Sequence, residues 1–299
     1  MATAQATVAM TELELIAPRV AVWRRLGRLA RDNPLGVFGL IVVLTLALCA
    51  VFGPAIAPHD PNAVGVGGKN LDPSMDFPFG TDTLGRDMFS RVIYGARISL
   101  MVGFFAVFFG TTIGAMLGIV SGYVGGTIDN IIQRTVDTAI AFPALLGLLI
   151  LRAVLGAELH TLIIAIGIAV IFPVTRIVRG AVLSERNNQY VEAARALGAS
   201  TPRILFLHIA PNVAALAIII GTSFIGGAIL AEAALSFLGL GIPTAVTWGK
   251  DVSDARNGFP IHIWWAFFPG AAITLTVLGF NLLGDTMRDI LDPRLRGRL

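Results

Sequence analysis

Charge is what this chain of 299 residues has least of, with only 14% Asp, Glu, Lys and Arg, against about 25% in soluble domains. Together with 55% hydrophobic residues and a mean hydropathy of +0.78, that scarcity excludes a disordered chain and a water-soluble globule. A single cysteine, Cys49, rules out an internal disulfide and any Cys-based metal site. Lysine is nearly absent, only Lys69 and Lys250, so arginine carries the positive charge, and the net charge is only +3. A mild basic excess on so apolar a chain points to membrane orientation before nucleic acid. The four histidines (His59, His160, His208, His262) lack ligand spacing, so no metal site is expected. No G-x-x-x-x-G-K-[ST] loop is present either. Gly67-Gly68-Lys69-Asn70 comes nearest, but Ala63 and Asn70 occupy the positions of the first glycine and the magnesium-binding hydroxyl. With no G-x-S-x-G elbow, the chain is expected to have no catalytic residues and no cofactor of its own. Any ATP-driven work falls to another chain.

What is there is long apolar runs. A helix needs about 20 apolar residues to cross the hydrocarbon layer. Leu35–Ala57 and Ile98–Val120 are each uncharged, and Val213–Ala231 contains no charge before Glu232. Ile261–Gly284 is also uncharged. Thr138–Leu151 and Thr161–Thr175 are shorter, and each reaches spanning length if Arg152 or Arg176 snorkels to the interface. The expectation is an all-α polytopic membrane protein with six spans.

Basic residues orient it. Fifteen of the 22 fall in the arm before the first span (Arg19, Arg24, Arg25, Arg28, Arg31), at Arg134, in the segment from Arg176 to Arg203, and in the tail from Arg288 to Arg298. The other seven lie on the opposite side. Both termini are then cytoplasmic. The first run is too long for a signal-peptide core, and Leu48 is too large to precede a lipidated Cys49, so a retained anchor helix is expected.

Several positions stand out within the spans. Gly110, Gly114, Gly118 and Gly122 form one face at i, i+4 spacing, the pattern of close helix packing in membranes. Pro143, Pro173 and Pro269 are expected to bend their helices. Glu232, near the outer end of the fifth span, reads as a solvated or hydrogen-bonded acid rather than a proton relay. Trp23, Trp264 and Trp265 read as interfacial anchors.

The inner loop is patterned. Val191-Glu192-Ala193-Ala194-Arg195-Ala196-Leu197 favours a helix. Gly198 suits the left-handed residue that ends one. Thr201-Pro202 suits a restart with Thr201 as cap, with re-entry into the membrane near Pro211-Asn212. A short helix held between two spans moves with them and is a handle for a soluble partner.

Glu192-Ala193-Ala194, Gly198 and Pro211 resemble the E-A-A-x-x-x-G loop of permease subunits in binding-protein-dependent ABC importers, with His208 and Ala210 departing from the usual Ile and Leu. Five further stretches resemble the second permease of the dipeptide, oligopeptide and nickel group: Phe79 to Asp87, Tyr94-Gly95-Ala96-Arg97, Ala141-Phe142-Pro143, Leu235 to Gly241, and Leu291-Asp292-Pro293-Arg294. The resemblance implies a type I importer permease in a bacterial-type inner membrane. It would consist of an N-terminal arm, 1–34, and a permease domain, 35–299, with an external loop at 58–97 and a coupling segment at 186–211. The implied partners are a homologous permease, two cytoplasmic ATPases that use ATP and magnesium, an extracytoplasmic binding protein and the lipid bilayer, with no nucleic acid. Glu192, Ala193, Ala194, Arg195, Gly198 and Pro211 would couple to the ATPase. Peptide is the implied substrate, nickel or another small solute the alternative, and the residues that bind it are not identifiable. A secondary transporter would instead need paired intramembrane ionisable residues, and a membrane enzyme a polar constellation at one depth.

Overall fold

The computed structural model describes residues 31 and 33–291. Trp23, most of the basic N-terminal arm and the Asp292-Pro293-Arg294 stretch lie outside the described residues. Five helices are long and apolar enough to cross a membrane, and a bent helix pair makes a sixth if counted as one span.

Helix α1 (Pro34–Ile56) starts with Pro at its first turn, where the missing N–H costs nothing. It lies at the edge and reaches its neighbours through glycines: Gly39 abuts the Gly279 carbonyl and Gly53 faces Ile93. Helix α2 (Met88–Val124) begins at Asp87, whose carboxylate accepts from the N–H groups of Phe89 and Ser90. At 37 residues it runs about 55 Å, well beyond the roughly 30 Å of hydrocarbon. The external loop therefore ends at Asp87 and not at Arg97, because the Asp87 cap starts the helix a full ten residues earlier.

The third span is broken rather than kinked. Helices α3 (Gly126–Ala141) and α4 (Ala144–Leu155) meet at 95° across Phe142-Pro143, because the residue before a proline avoids helical dihedrals. Helix α5 (Leu159–Glu185) carries Pro173 within it. After it come α6 (Gln189–Ala196), α7 (Thr201–Ile204), a π turn (Leu205–Ile209) and α8 (Ala210–Phe237), then the external helix α9 (Trp248–Ala255) and α10 (Trp264–Leu291).

The core is the packing of α2 on α5 and α8, filled by Val102, Ala106, Leu162, Val170, Val174, Val178 and Val213. Along α2 the four glycines face α5 at one-turn intervals. A Cβ at Gly110 would stand 2.5 Å from the Gly167 carbonyl oxygen, and at Gly114 2.7 Å from that of Ile171. At Gly118 it would stand 2.8 Å from the Thr175 oxygen, and at Gly122 2.8 Å from Val182 Cβ. Backbone meets backbone there, and only glycine leaves room.

Three expectations are corrected, and the two readings of Glu232 are decided. Arg152 does not snorkel to the interface: it is 2% exposed, enclosed by the carbonyls of two loops. Of the two readings of Glu232, the hydrogen-bonded one holds: the carboxylate is fully buried, accepting from Ser236 Oγ at 2.8 Å and Ser99 Oγ at 3.3 Å. Trp265 is 2% exposed and donates from its indole to the Thr81 carbonyl at 2.8 Å, and Trp264 is only half-exposed against Gly80. Both rings pack on the external loop instead of lying free in the interface. Finally, Ser200 rather than Thr201 occupies the cap of α7, and helical structure continues without a break from Thr201 to Phe237. Pro211 sits inside that run. It has no N–H for the carbonyl four residues back and its ring crowds that carbonyl. The wider π turn directly before it relieves the crowding, and Asn212 Nδ2 donates to the His208 carbonyl at 2.6 Å.

Candidate functional site

Helix α6 lies on the side that the arginine distribution assigns to the cytoplasm. Its hydrophobic register is short: Val191 is fully buried in the main core, and Ala194 and Ala199 pack against the same cluster. Small side chains at 194 and 199 let the helix lie flat under the bundle. Its end is a Schellman turn. Gly198 has φ +80°, its N–H donates to the Arg195 carbonyl at 2.9 Å, and the Ala199 N–H donates to that of Ala194 at 3.0 Å.

That geometry sorts the residues of the segment. Glu192, Ala193, Arg195 and Gly198 are exposed, whereas Ala194 is half-buried. Leu197, the residue before the left-handed glycine, is 88% exposed. The Arg195 guanidinium lies 5.4 Å over the ring of Tyr123 at the end of α2. Tyr190 donates its hydroxyl to the Glu185 carboxylate at the end of α5, and Asn212 Nδ2 donates to the Tyr190 hydroxyl at 3.1 Å. Burial first, and then the Glu185 carboxylate, push the Tyr190 phenol above its usual range. Helix α6 is thereby attached to α2, α5 and α8 together. The inner ends of α3 and α5 are joined by Arg179 to Asp129 at 2.6 Å and by the Arg176–Asp137 pair. Pro211 stands at the π turn, apart from the exposed face of α6. Among the coupling residues expected from sequence, Glu192, Ala193, Arg195 and Gly198 are thus exposed, Ala194 packs on the core, and Pro211 lies in the first turn of α8.

The outer end carries polar constructions that sequence reasoning missed. Arg91 pairs with Asp251 of α9 and also donates to the Pro61 carbonyl at 2.9 Å. Trp248 fills the space beside Gly95 and donates to the Val92 carbonyl at 2.8 Å, and Gly249 lies against the Ala233 backbone. Helix α9 is thus wedged between α2 and α8. Arg152 donates to the carbonyls of Leu240 at 2.9 Å, Glu158 at 2.9 Å and Gly241 at 3.3 Å, and to Gly156 and Thr161. Local pattern held no signal for Asp251 as the partner of Arg91 or for Leu240 and Gly241 as partners of Arg152, which lie far away in the chain. Between α2 and α8 runs an apolar groove of about 460 Å³, lined by Phe104, Phe108, Met116, Ala214 and Ile218. Thr111 Oγ1 borders it, buried and without a hydrogen-bond partner.

These observations describe a membrane bundle with a rigid cytoplasmic handle and a braced outer platform. Residues 114–297 match the family model for the binding-protein-dependent transport system inner membrane component. The chain belongs to that family. Residues 20–73 match a second model, the N-terminal transmembrane domain of oligopeptide transport permease C. The chain is 41% identical over 278 residues to the dipeptide transport system permease protein DppC of Alkalihalophilus pseudofirmus, covering 93% of this chain and 91% of the relative. It is 40% identical, over the same shares, to the oligopeptide transport system permease protein OppC of Bacillus subtilis. Identity to the glutathione transport system permease protein GsiD of Salmonella typhimurium is 44%, over 92% of this chain and 91% of that one. The chain is a multi-pass inner-membrane permease, and the resemblance drawn from its motifs holds across nearly its whole length.

The stretches that carried the resemblance have physical roles in this permease. Phe79 stacks on Phe268 at 3.9 Å, Thr81 receives the Trp265 indole and Asp87 caps α2. Gly95 makes room for Trp248. Ala141-Phe142-Pro143 is the break in the third span. Leu240 and Gly241 supply carbonyls to Arg152.

Proposed function

We propose that this permease pairs with a homologous permease to form the membrane pathway for peptides, and that cytoplasmic ATPases drive it through the surface of α6. The observation that carries this reading is the exposed row Glu192, Ala193 and Leu197, on a helix whose other side is buried under α2, α5 and α8. A partner that grips this row moves three spans at once. Glu192 supplies a charged contact, Ala193 permits close approach, Gly198 holds the turn, and Leu197 is an apolar knob in water. ATP and magnesium belong to the ATPase chains, and a binding protein delivers the solute to the external platform. Dipeptide, oligopeptide and glutathione relatives support a peptide-class substrate; nickel or another small solute is the alternative.

The test reconstitutes the permease with its partner permease, ATPases and binding protein in lipid nanodiscs. Glu192→Lys and Leu197→Asp leave assembly of the membrane subunits intact and lower ATPase stimulation by loaded binding protein roughly tenfold or more, the scale of losing an interface hot spot of about 2 kcal/mol. Full stimulation in both variants at normal membrane levels refutes the coupling role. ATP-dependent uptake of labelled di- and oligopeptides is the expected activity, and uptake persisting on an ion gradient without ATP would point to a secondary transporter.

A further inference from the structure

Helix α10 contains its own depth scale. From Trp264 to Gly284 there are 21 uncharged residues, and Asp285 is the first charge. Twenty-one residues of helix rise about 31 Å, matching the roughly 30 Å of hydrocarbon. With Asp285 at the inner boundary, Trp264 stands at the outer one. The turn at residues 256–263 then lies at the level of the lipid headgroups.

The two tryptophans expected at that boundary face inward. Trp265 is used up by protein: Gly258 lies against its ring, His262 stacks on it at 4.8 Å and 21°, and its N–H is held by Thr81. Pinning Gly258 and His262 inward turns the residues around them outward. Phe259, Ile261 and Ile263 are all exposed, Ile261 by 78%. Three such side chains in one short turn are poorly suited to water. Phe267, at the first turn of α10, is exposed too, and so is Leu278, 11 residues or about three turns further along the same face. The turn continues this exposed face of α10 upward, a face that also carries Thr274 and Asn281 further in. Beside it, the Arg256 guanidinium lies 4.6 Å over the ring of Phe237 at the outer end of α8.

The geometry points to the turn at 259–263 as an outer-leaflet anchor. Phe259, Ile261 and Ile263 enter the boundary between headgroups and acyl chains, and Arg256 stays at the level of the phosphates. The occupant of this patch is lipid, because three exposed apolar side chains and a neighbouring arginine fall together at the depth set by Asp285. Helix α9, one short turn away in sequence, is held at a fixed height above the bilayer as a result.

The test places nitroxide labels singly at Phe259→Cys, Ile261→Cys and Ile263→Cys in a Cys49→Ala background. Met75→Cys, at a fully exposed position of the external loop, serves as the aqueous reference. The protein is extracted together with its native partners and lipid into polymer-bounded nanodiscs. Collision rates with oxygen and with a water-soluble nickel chelate are then measured. Anchoring gives a larger oxygen than nickel collision rate at 259, 261 and 263 and the reverse at 75. A nickel rate exceeding the oxygen rate at the three sites overturns the proposal in favour of an aqueous face. Low rates with both reagents overturn it in favour of a protein partner. Labelling of Ile261→Cys by a membrane-impermeant maleimide in intact cells is an independent measurement, expected to be several-fold slower than at Met75→Cys; equal rates count against the anchor.

Discussion

Arg91 donates from Nε to Asp251 Oδ1 at 2.8 Å across 160 positions of sequence, and both side chains are 1% exposed. This pair ties the first turn of α2 to the external helix α9. Its consequence is asymmetric, since removing one member strands the other charge in the protein.

Asp251→Ala is therefore expected to destabilise the permease by about 3–5 kcal/mol, the cost of breaking a buried ion pair from one side. Arg91→Met combined with Asp251→Leu should recover much of that loss, because neither charge remains to be solvated. Thermal unfolding of both variants in one lipid or detergent system checks the order, and a double variant no better than Asp251→Ala refutes it.

Arg152 closes the outer loops by donating to the Leu240 and Gly241 carbonyls and, together with the Thr161 hydroxyl, to those of Gly156 and Glu158. Arg152→Met should leave the bundle folded and raise backbone hydrogen exchange around residues 156–158 and 238–241. Arg152→Lys should restore only part of the protection, because a compact ammonium cannot reach both loops as the planar guanidinium does. Exchange measured by mass spectrometry decides it, and wild-type protection in Arg152→Met would show the clasp to be dispensable.

The seam between α2 and α5 sets a steric limit. Gly114→Val places its Cβ 2.7 Å from the Ile171 carbonyl oxygen, so the helices must separate. A loss of about 1–3 kcal/mol or more is expected from such overpacking, seen as lower membrane levels and a lower melting temperature. Gly180→Ala is the control, because a Cβ there meets nothing within 4 Å, and it should be neutral or slightly stabilising.

Gly198 is constrained by its backbone alone, since a Cβ there also meets nothing within 4 Å while φ is +80°. Gly198→Val should cost about 1–2 kcal/mol of local strain and shift Leu197 out of position. Gly198→Asn should retain more stimulated ATPase activity than Gly198→Val, because asparagine enters the left-handed region more readily. Equal activities in the two variants would mean that the turn does not set the coupling geometry.

Legibility in the sequence followed locality. The glycines at 110, 114, 118 and 122 announced a close helix contact because a four-residue interval is a property of one helix. Gly198 announced its turn for the same reason. The first two tryptophan positions of α10 misled because their chemistry fits a lipid interface equally well as a protein pocket; the external loop, folding back with the Thr81 carbonyl, claimed Trp265. Leu197 carried no signal of its own, since its exposure depends on Val191 and Ala194 already facing the core. The length of α2 was hidden because its outer turns, with Arg91 and Arg97, are too charged to read as membrane.

By itself the sequence determined the membrane class, the apolar runs and the side on which the basic residues gather, the family and the position of the short helix at 189–196. Each follows from run length, charge placement or spacing along one helix, which are properties of neighbours in the chain. Only the tertiary structure decided where the scarce buried charges go. Arg91 found Asp251, and Arg152 found the carbonyls of Leu240 and Gly241. A buried polar group must be satisfied inside the protein, and its partner is whichever group the packing brings within reach, however distant in sequence.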